Sequence, residues 1–201
     1  MTLDRFYPIF DTPEWLARTL PLGVRLVQLR MKDKAEDELR AAIATARDLC
    51  RKHEAVLVVN DYWQLAIELG CDWVHLGQED LDTADIPAIR KARIKIGVST
   101  HDHQELDRAL SLEPDYIAFG PIYDTTAKDL PFAPQGVERL KLWRELAGGY
   151  PLVAIGGITL ERAPDLLKAG ADSVAVISDV LAAPDPEARA RAFIEATRAF
   201  A

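Results

Sequence analysis

VRLVQLRMKDKAEDELRAAIATARDLCRKHEAVLVVND (24–61) carries the pattern that decides the fold. An apolar run, VRLVQL (24–29), gives way to a charged stretch in which Leu39, Ile43, Ala46 and Leu49 recur at spacings of four and three. A second apolar run follows, AVLVVN (55–60). Spacings of three and four put side chains on one face of an α-helix. Short runs rich in β-branched residues, without polar alternation, fit parallel strands covered on both faces. The segment therefore reads as strand, covering helix and parallel strand. Both runs end in polar groups: Gln28, Arg30 and Lys32 at the end of the first and beyond it, Asn60 and Asp61 at the end of the second and beyond it.

The same unit recurs along the chain. RFYPIF (5–10), WVHLG (73–77), IKIGVS (94–99), YIAFG (116–120), PLVAIGG (151–157) and SVAVIS (173–178) are six further strand candidates. Helical spacing returns in Leu106, Ala109 and Leu110, in Val137, Leu140 and Trp143, and in Phe193, Ala196 and Phe200. Glycine- and proline-bearing turns at 68–70, 113–115, 147–151 and 169–172 separate the pieces. Eight strands alternating with helices in about 200 residues predict an α/β fold, a single (β/α)8 TIM barrel, with 1–201 as one catalytic domain. A doubly wound open sheet is the alternative, but no G-x-G-x-x-G follows the first strand. Pro8 is awkward inside a strand of a closed sheet.

With 24 Lys+Arg against 32 Asp+Glu the net charge is −8, which argues against nucleic acid or an anionic membrane as partner. Anionic small molecules stay open, because a local cationic pocket can exist on an acidic protein. Cys50 and Cys71 match no metal or redox spacing and suggest a reducing, cytoplasmic compartment. MTLDRFYPIFDTPEW (1–15) is too acidic and too broken by proline for a signal peptide, and no apolar stretch is long enough to span a bilayer. A homo-oligomer is compatible with the sequence.

In such a barrel the active site lies at the C-terminal ends of the strands. Those ends deliver Gln28, Arg30, Lys32, Asn60, Asp61, the 75–80 segment with Asp80, Ser99, the loop GPIYDTTAKD (120–129), Gly156, Gly157, Ile177 and Ser178. Asp61 and Asp80 on neighbouring strands, beside Arg30 and Lys32, suit Mg²⁺ holding a pyrophosphate, since Mg²⁺ takes one or two carboxylates plus phosphate oxygens. Taken singly, either aspartate reads as a helix cap. Gly157 would admit a phosphate to the backbone and Ser178 would donate from the next loop, although Gly156-Gly157 also reads as a plain turn. Lys128, with Thr125 and Thr126, stands in a loop that can fold over the pocket. His75 reads as an interior histidine, whereas His101 or His103 is placed to bind or to transfer a proton. Zinc-hydrolase and serine-esterase patterns are absent.

Seven ordered motifs, QLRMK (28–32), VND (59–61), HLGQEDL (75–81), GVSTH (97–101), FGPIYDTTAK (119–128), APQG (133–136) and VAIGGI (153–158), resemble those of the thiamine-phosphate synthase family. The resemblance runs from about residue 6 to residue 198. It implies a barrel that joins a hydroxymethylpyrimidine diphosphate to a thiazole phosphate (or its carboxylated form), giving thiamine phosphate and pyrophosphate. By motif, Gln28, Arg30, Lys32, Asn60, Ser99 and Lys128 would bind the pyrimidine diphosphate, with Arg30, Lys32, Ser99 and Lys128 acting in catalysis. Asp61 and Asp80 would hold Mg²⁺. Thr125, Thr126, Gly157, Ile177 and Ser178 would receive the thiazole phosphate. The chain departs from the family at Ala127, where a second threonine is usual. Two rivals are a thiazole tautomerase-like barrel and a non-catalytic barrel that binds thiamine metabolites. Retention of Arg30, Lys32, Asp61, Asp80 and Lys128 together argues against both.

Overall fold

All eight apolar runs form strands in the computed structural model, which describes residues 3–125 and 132–200. They are β1 (Phe6–Phe10), β2 (Leu26–Leu29), β3 (Val56–Asn60), β4 (Trp73–Leu76), β5 (Lys95–Thr100), β6 (Tyr116–Phe119), β7 (Leu152–Ile155) and β8 (Ser173–Val176). Neighbours in the chain are neighbours in the sheet, and β8 closes on β1 through Phe6↔Val174, Tyr7↔Ala175 and Pro8↔Val176. The outcome is the (β/α)8 barrel and not the open sheet. Its helices are α1 (Pro13–Thr19), α2 (Glu36–Lys52), α3 (Trp63–Glu68), α4 (Ile86–Lys91), α5 (His103–Ser111), α6 (Gly136–Ala147), α7 (Ala163–Lys168), α8 (Ser178–Leu181) and α9 (Pro186–Arg198).

The strands lack polar alternation because period two sorts their side chains between two dry layers. Tyr7, Ile9, Leu26, Val58, Trp73, Tyr116, Ala118, Val153 and Ala175 fill the lumen. The intervening residues, among them Phe6, Val27, Val59, Val74, Val98, Phe119 and Val174, pack beneath the helices. In α6, Trp143 stacks on Phe119 with ring centroids 4.3 Å apart, and its Nε1 donates to Thr100 Oγ1 at 3.0 Å. Asp85, Asp102 and Asp185 start α4, α5 and α9 by accepting the backbone N–H three residues on.

Two details differ from expectation. In α9 the buried face is Ala190, Phe193, Ile194 and Thr197, a step around from the Phe193–Ala196–Phe200 spacing. Stacking of Phe193 on Phe6 at 4.9 Å fixes that rotation. Pro8 fits the closed sheet because the β1–β2 ladder holds only Ile9↔Gln28 and Phe10↔Leu29, beyond the residue that lacks an N–H. Cys50 and Cys71 are free and buried. Among the described residues no helix is long and apolar enough to cross a membrane.

Candidate active site

The C-terminal ends of the strands open into one cavity of about 1070 Å³. Of the residues singled out in the sequence, Gln28, Arg30, Lys32, Asn60, Asp61, Asp80, Ser99, Thr125, Gly157, Ile177 and Ser178 all line it. Thr126, Ala127 and Lys128 lie outside the described residues.

The acidic wall is built from the exits of β3 and β4. After β3 the chain turns at Asp61, whose φ of 64° is left-handed, a conformation aspartate tolerates better than most residues. The turn is held by Asp61 N–H donating to His75 O at 2.9 Å and Trp63 N–H donating to Asp61 O at 2.8 Å. It directs the Asp61 carboxylate to Lys32 Nζ, with which it is ion-paired. Asp80 opens a short 3-10 turn, Asp80–Asp82, and accepts the Gly77 N–H at 2.8 Å. Its carboxyl is pushed above the ordinary aspartate value, first by partial burial and next by the charge of Asp61; the Gly77 N–H and Lys32 oppose the shift. The charge of Asp61 on Asp80 is one that a cation bound between them would relieve. No group of three metal-ligating side chains forms among the described residues. A cation bound here would thus draw most of its oxygens from water and ligand, which fits the preference of Mg²⁺.

Beside it, from the same and flanking strands β2, β3 and β5, lies a set of neutral polar groups. Gln28 and Asn60 are buried, and Gln28 Nε2 donates to the Tyr7 hydroxyl at 2.9 Å. Ser99 Oγ lies 2.8 Å from His75 Nε2, and the Ser99 carbonyl accepts from Gln78 Nε2 at 2.7 Å. His75 is interior, as its position within β4 suggested. Of the two later histidines, His101 lines the cavity, while His103 turns outward against Trp143, 5.0 Å between ring centroids.

The third wall joins the exits of β6, β7 and β8. Ile122 N–H donates to Ile155 O at 2.9 Å and Tyr123 N–H to Gly156 O at 3.1 Å, so the loop after β6 lies on the turn after β7. Gly157 has φ 61°, and a Cβ on it would sit 2.3 Å from Asp124 O and 2.8 Å from Tyr123 Cβ. Glycine there has a packing reason beside the phosphate reason drawn from the sequence. Arg162 lies over the Tyr123 ring, 4.3 Å from its centroid, and donates to Gly157 O at 2.7 Å.

Several lining residues were passed over in the sequence. Arg162 has no motif or spacing to flag it. Glu105 had a signal, the capping pattern Asp102-x-x-Glu105. Asp102 accepts the Glu105 N–H at 2.9 Å, and Glu105 accepts the His101 N–H at 2.8 Å while standing 2.6 Å from its Nδ1. The His101 ring then stacks on Phe132 at 4.5 Å. Asp179 also reaches the cavity, with Arg189 as its partner at 2.8 Å. Among the described lining residues the carboxylates Asp61, Glu79, Asp80, Glu105, Asp124 and Asp179 outnumber the cations Arg30, Lys32 and Arg162. A diphosphate entering this mouth needs more positive charge than those three side chains bring.

Comparison with known proteins gives a consistent set of matches. The family model described as thiamine monophosphate synthase matches residues 6–180. The thiamine-phosphate synthase of Rhizobium etli is 55% identical over 197 residues, covering 98% of this chain and 97% of that protein. The thiamine-phosphate synthase of Cronobacter sakazakii is 51% identical over 179 residues, 89% of this chain and 85% of its own. The solved thiamine phosphate pyrophosphorylase from Pyrococcus furiosus superposes with a TM-score of 0.86 at 28% identity, over 98% of this chain and 96% of its own.

Proposed function

Because the chain belongs to the thiamine monophosphate synthase family, and so condenses a pyrimidine diphosphate with a thiazole phosphate to give thiamine phosphate, we propose that Asp61 and Asp80 hold Mg²⁺ against the diphosphate. The observation that carries this reading is the pair of carboxylates beside Lys32, in a mouth where acids outnumber cations among the described residues. Mg²⁺, when bound, supplies charge that the side chains lack. Gln28, Asn60 and Ser99 orient the pyrimidine diphosphate, and Arg30, Lys32 and Lys128 neutralise its terminal oxygens. Thr125, Thr126, Gly157, Ile177 and Ser178 receive the thiazole phosphate, and Arg162 brings a cation to that end.

The reaction then asks little covalent work of the protein. The bond from the pyrimidine methylene to the diphosphate oxygen breaks, and its electron pair leaves with pyrophosphate. Arg30, Lys32 and Lys128 stabilise the charge that gathers there. The thiazole nitrogen donates its lone pair to the cationic methylene and forms the new C–N bond. No general base is required, which accords with a buried His75 and a His101 engaged with Glu105. Catalysis is positioning plus charge stabilisation.

We take residues 1–201 as one catalytic domain, supported by a barrel that closes between β1 and β8. We place the enzyme in the cytoplasm, a reading supported by two buried free thiols. The test is thiamine phosphate formation with and without Mg²⁺, using wild type, Asp61→Ala and Asp80→Ala. Turnover should vanish with chelator and fall sharply in both variants. Full turnover in chelator would sink the metal assignment.

A further inference from the structure

Five side chains cross the floor of the mouth in one hydrogen-bonded line. Gln28 Nε2 donates to the Tyr7 hydroxyl at 2.9 Å, and that hydroxyl lies 3.0 Å from the Tyr116 hydroxyl. Tyr116 lies 2.8 Å from His75 Nδ1, and His75 Nε2 lies 2.8 Å from Ser99 Oγ. Gln28, Tyr7, Tyr116 and His75 are buried, so their polar atoms must find partners inside the protein. Burial also holds both phenols well above their ordinary pKa, so each keeps a hydrogen to donate. Glycine at position 97 makes the line sterically possible. Gly97 sits in register between His75 and Tyr116, and a Cβ on it would come within 2.0 Å of the Tyr116 ring.

A phenol hydroxyl and a neutral imidazole each have one hydrogen to give, so the line runs in one of two directions. Running from Gln28, Tyr7 donates to Tyr116, Tyr116 donates to Nδ1, and Nε2–H donates to Ser99. The Ser99 hydrogen is then turned to the cavity. In the reverse direction Ser99 donates inward and shows the cavity only lone pairs. An anionic diphosphate is held by donors, so the first direction is the one that serves binding. We propose that the line runs from Gln28 to Ser99, and that Tyr116 is a positioning residue of the pyrimidine-diphosphate site, fixing the Nε2–H form of His75 so that Ser99 donates to the substrate. Gln28 stands at the other end, so the same line fixes its amide orientation. The inference rests on the reading of Ser99 as a ligand of that substrate.

The test combines kinetics with nitrogen NMR of His75. In wild type with Mg²⁺ and inorganic pyrophosphate, the imidazole proton should lie on Nε2, and in Tyr116→Phe the two forms should mix. Tyr116→Phe should lower kcat/KM for the pyrimidine diphosphate about tenfold, the size of one lost hydrogen bond, with the KM for thiazole phosphate within about twofold of wild type. Tyr7→Phe takes away the partner of the Gln28 amide but keeps the Tyr116–His75–Ser99 bonds, so it should also lower kcat/KM, by about tenfold or less, while the His75 proton stays on Nε2. A wild-type proton on Nδ1 overturns the inference. So does a folded Tyr116→Phe with wild-type constants when Ser99→Ala is impaired. An unimpaired Ser99→Ala would instead overturn the reading of Ser99 beneath it. Where Tyr116→Phe fails to fold, the wild-type spectrum decides.

Discussion

Lys32 and Asp61, 29 positions apart in the chain, are ion-paired across the exits of β2 and β3. The Asp61 side chain is mostly covered, 15% exposed, and the Lys32 side chain is half open at 49%. The cation assigned to the diphosphate is thus anchored by a carboxylate assigned to the metal. The two residues should therefore act as one unit. Lys32→Ala and Asp61→Ala should each lower kcat/KM for the pyrimidine diphosphate by about a hundredfold. The double variant should fall well short of the product of the two losses. Steady-state kinetics on all four proteins checks this, and strict additivity would show independent roles.

Asp80 gives a pH-dependent stability. Its folded pKa is raised, so between the ordinary aspartate value and the raised value the native state binds more protons than the unfolded state. Its contribution therefore declines as pH rises through that window, and Mg²⁺ should restore it above the window. Asp80→Asn removes the charge and keeps an acceptor for the Gly77 N–H. Without metal the variant should melt above wild type at neutral pH, by a margin that solvent screening of the partly exposed carboxyl keeps small. The gap should close at acid pH, and the variant should lose the Mg²⁺-dependent rise. Thermal melts from about pH 4 to about pH 8 would measure it.

Gly157→Ala should be costly. The added methyl meets backbone at 2.3 Å as well as taking a left-handed φ. Gly70 also has a left-handed φ, 63°, but nothing lies within 4 Å of its missing Cβ. Gly70→Ala should cost about 1 kcal/mol, and Gly157→Ala about 2–3 kcal/mol or more, with displacement of the 120–125 loop. Denaturant unfolding of the pair separates the strain of φ from the clash. Equal losses would mean the loop yields freely.

Arg162→Ala should act on the other substrate. Its guanidinium is held by Tyr123 and Gly157 O at the third wall. The KM for thiazole phosphate should rise about tenfold, with little change for the pyrimidine diphosphate. An effect of equal size on both would point to a general charge effect instead.

What was legible in the sequence was what short segments encode. The strands could be read because both their faces are dry, and Arg30, Lys32, Asp61 and Ser99 because each lies at or just past the end of its strand. What escaped depends on contacts far along the chain. Arg162 reaches the cavity only because Tyr123, 39 positions earlier, lies beneath it. The α9 face was set by Phe6, at the other end of the protein. The space over Gly97 is filled by Tyr116 from the next strand, a relationship of register that spacing within one segment does not reveal.

Pro8 leaves the cylinder with a seam. β1 and β2 are registered over two pairs, against three or four at every other junction. Those two pairs lie at the catalytic rim and include Gln28 itself. The barrel is therefore least tied at the opposite rim, where β1 and β2 begin. Amide exchange of the native protein should enter there first, leaving the mouth closed while the base breathes. A protein laid out this way can loosen without losing the alignment of its reacting groups.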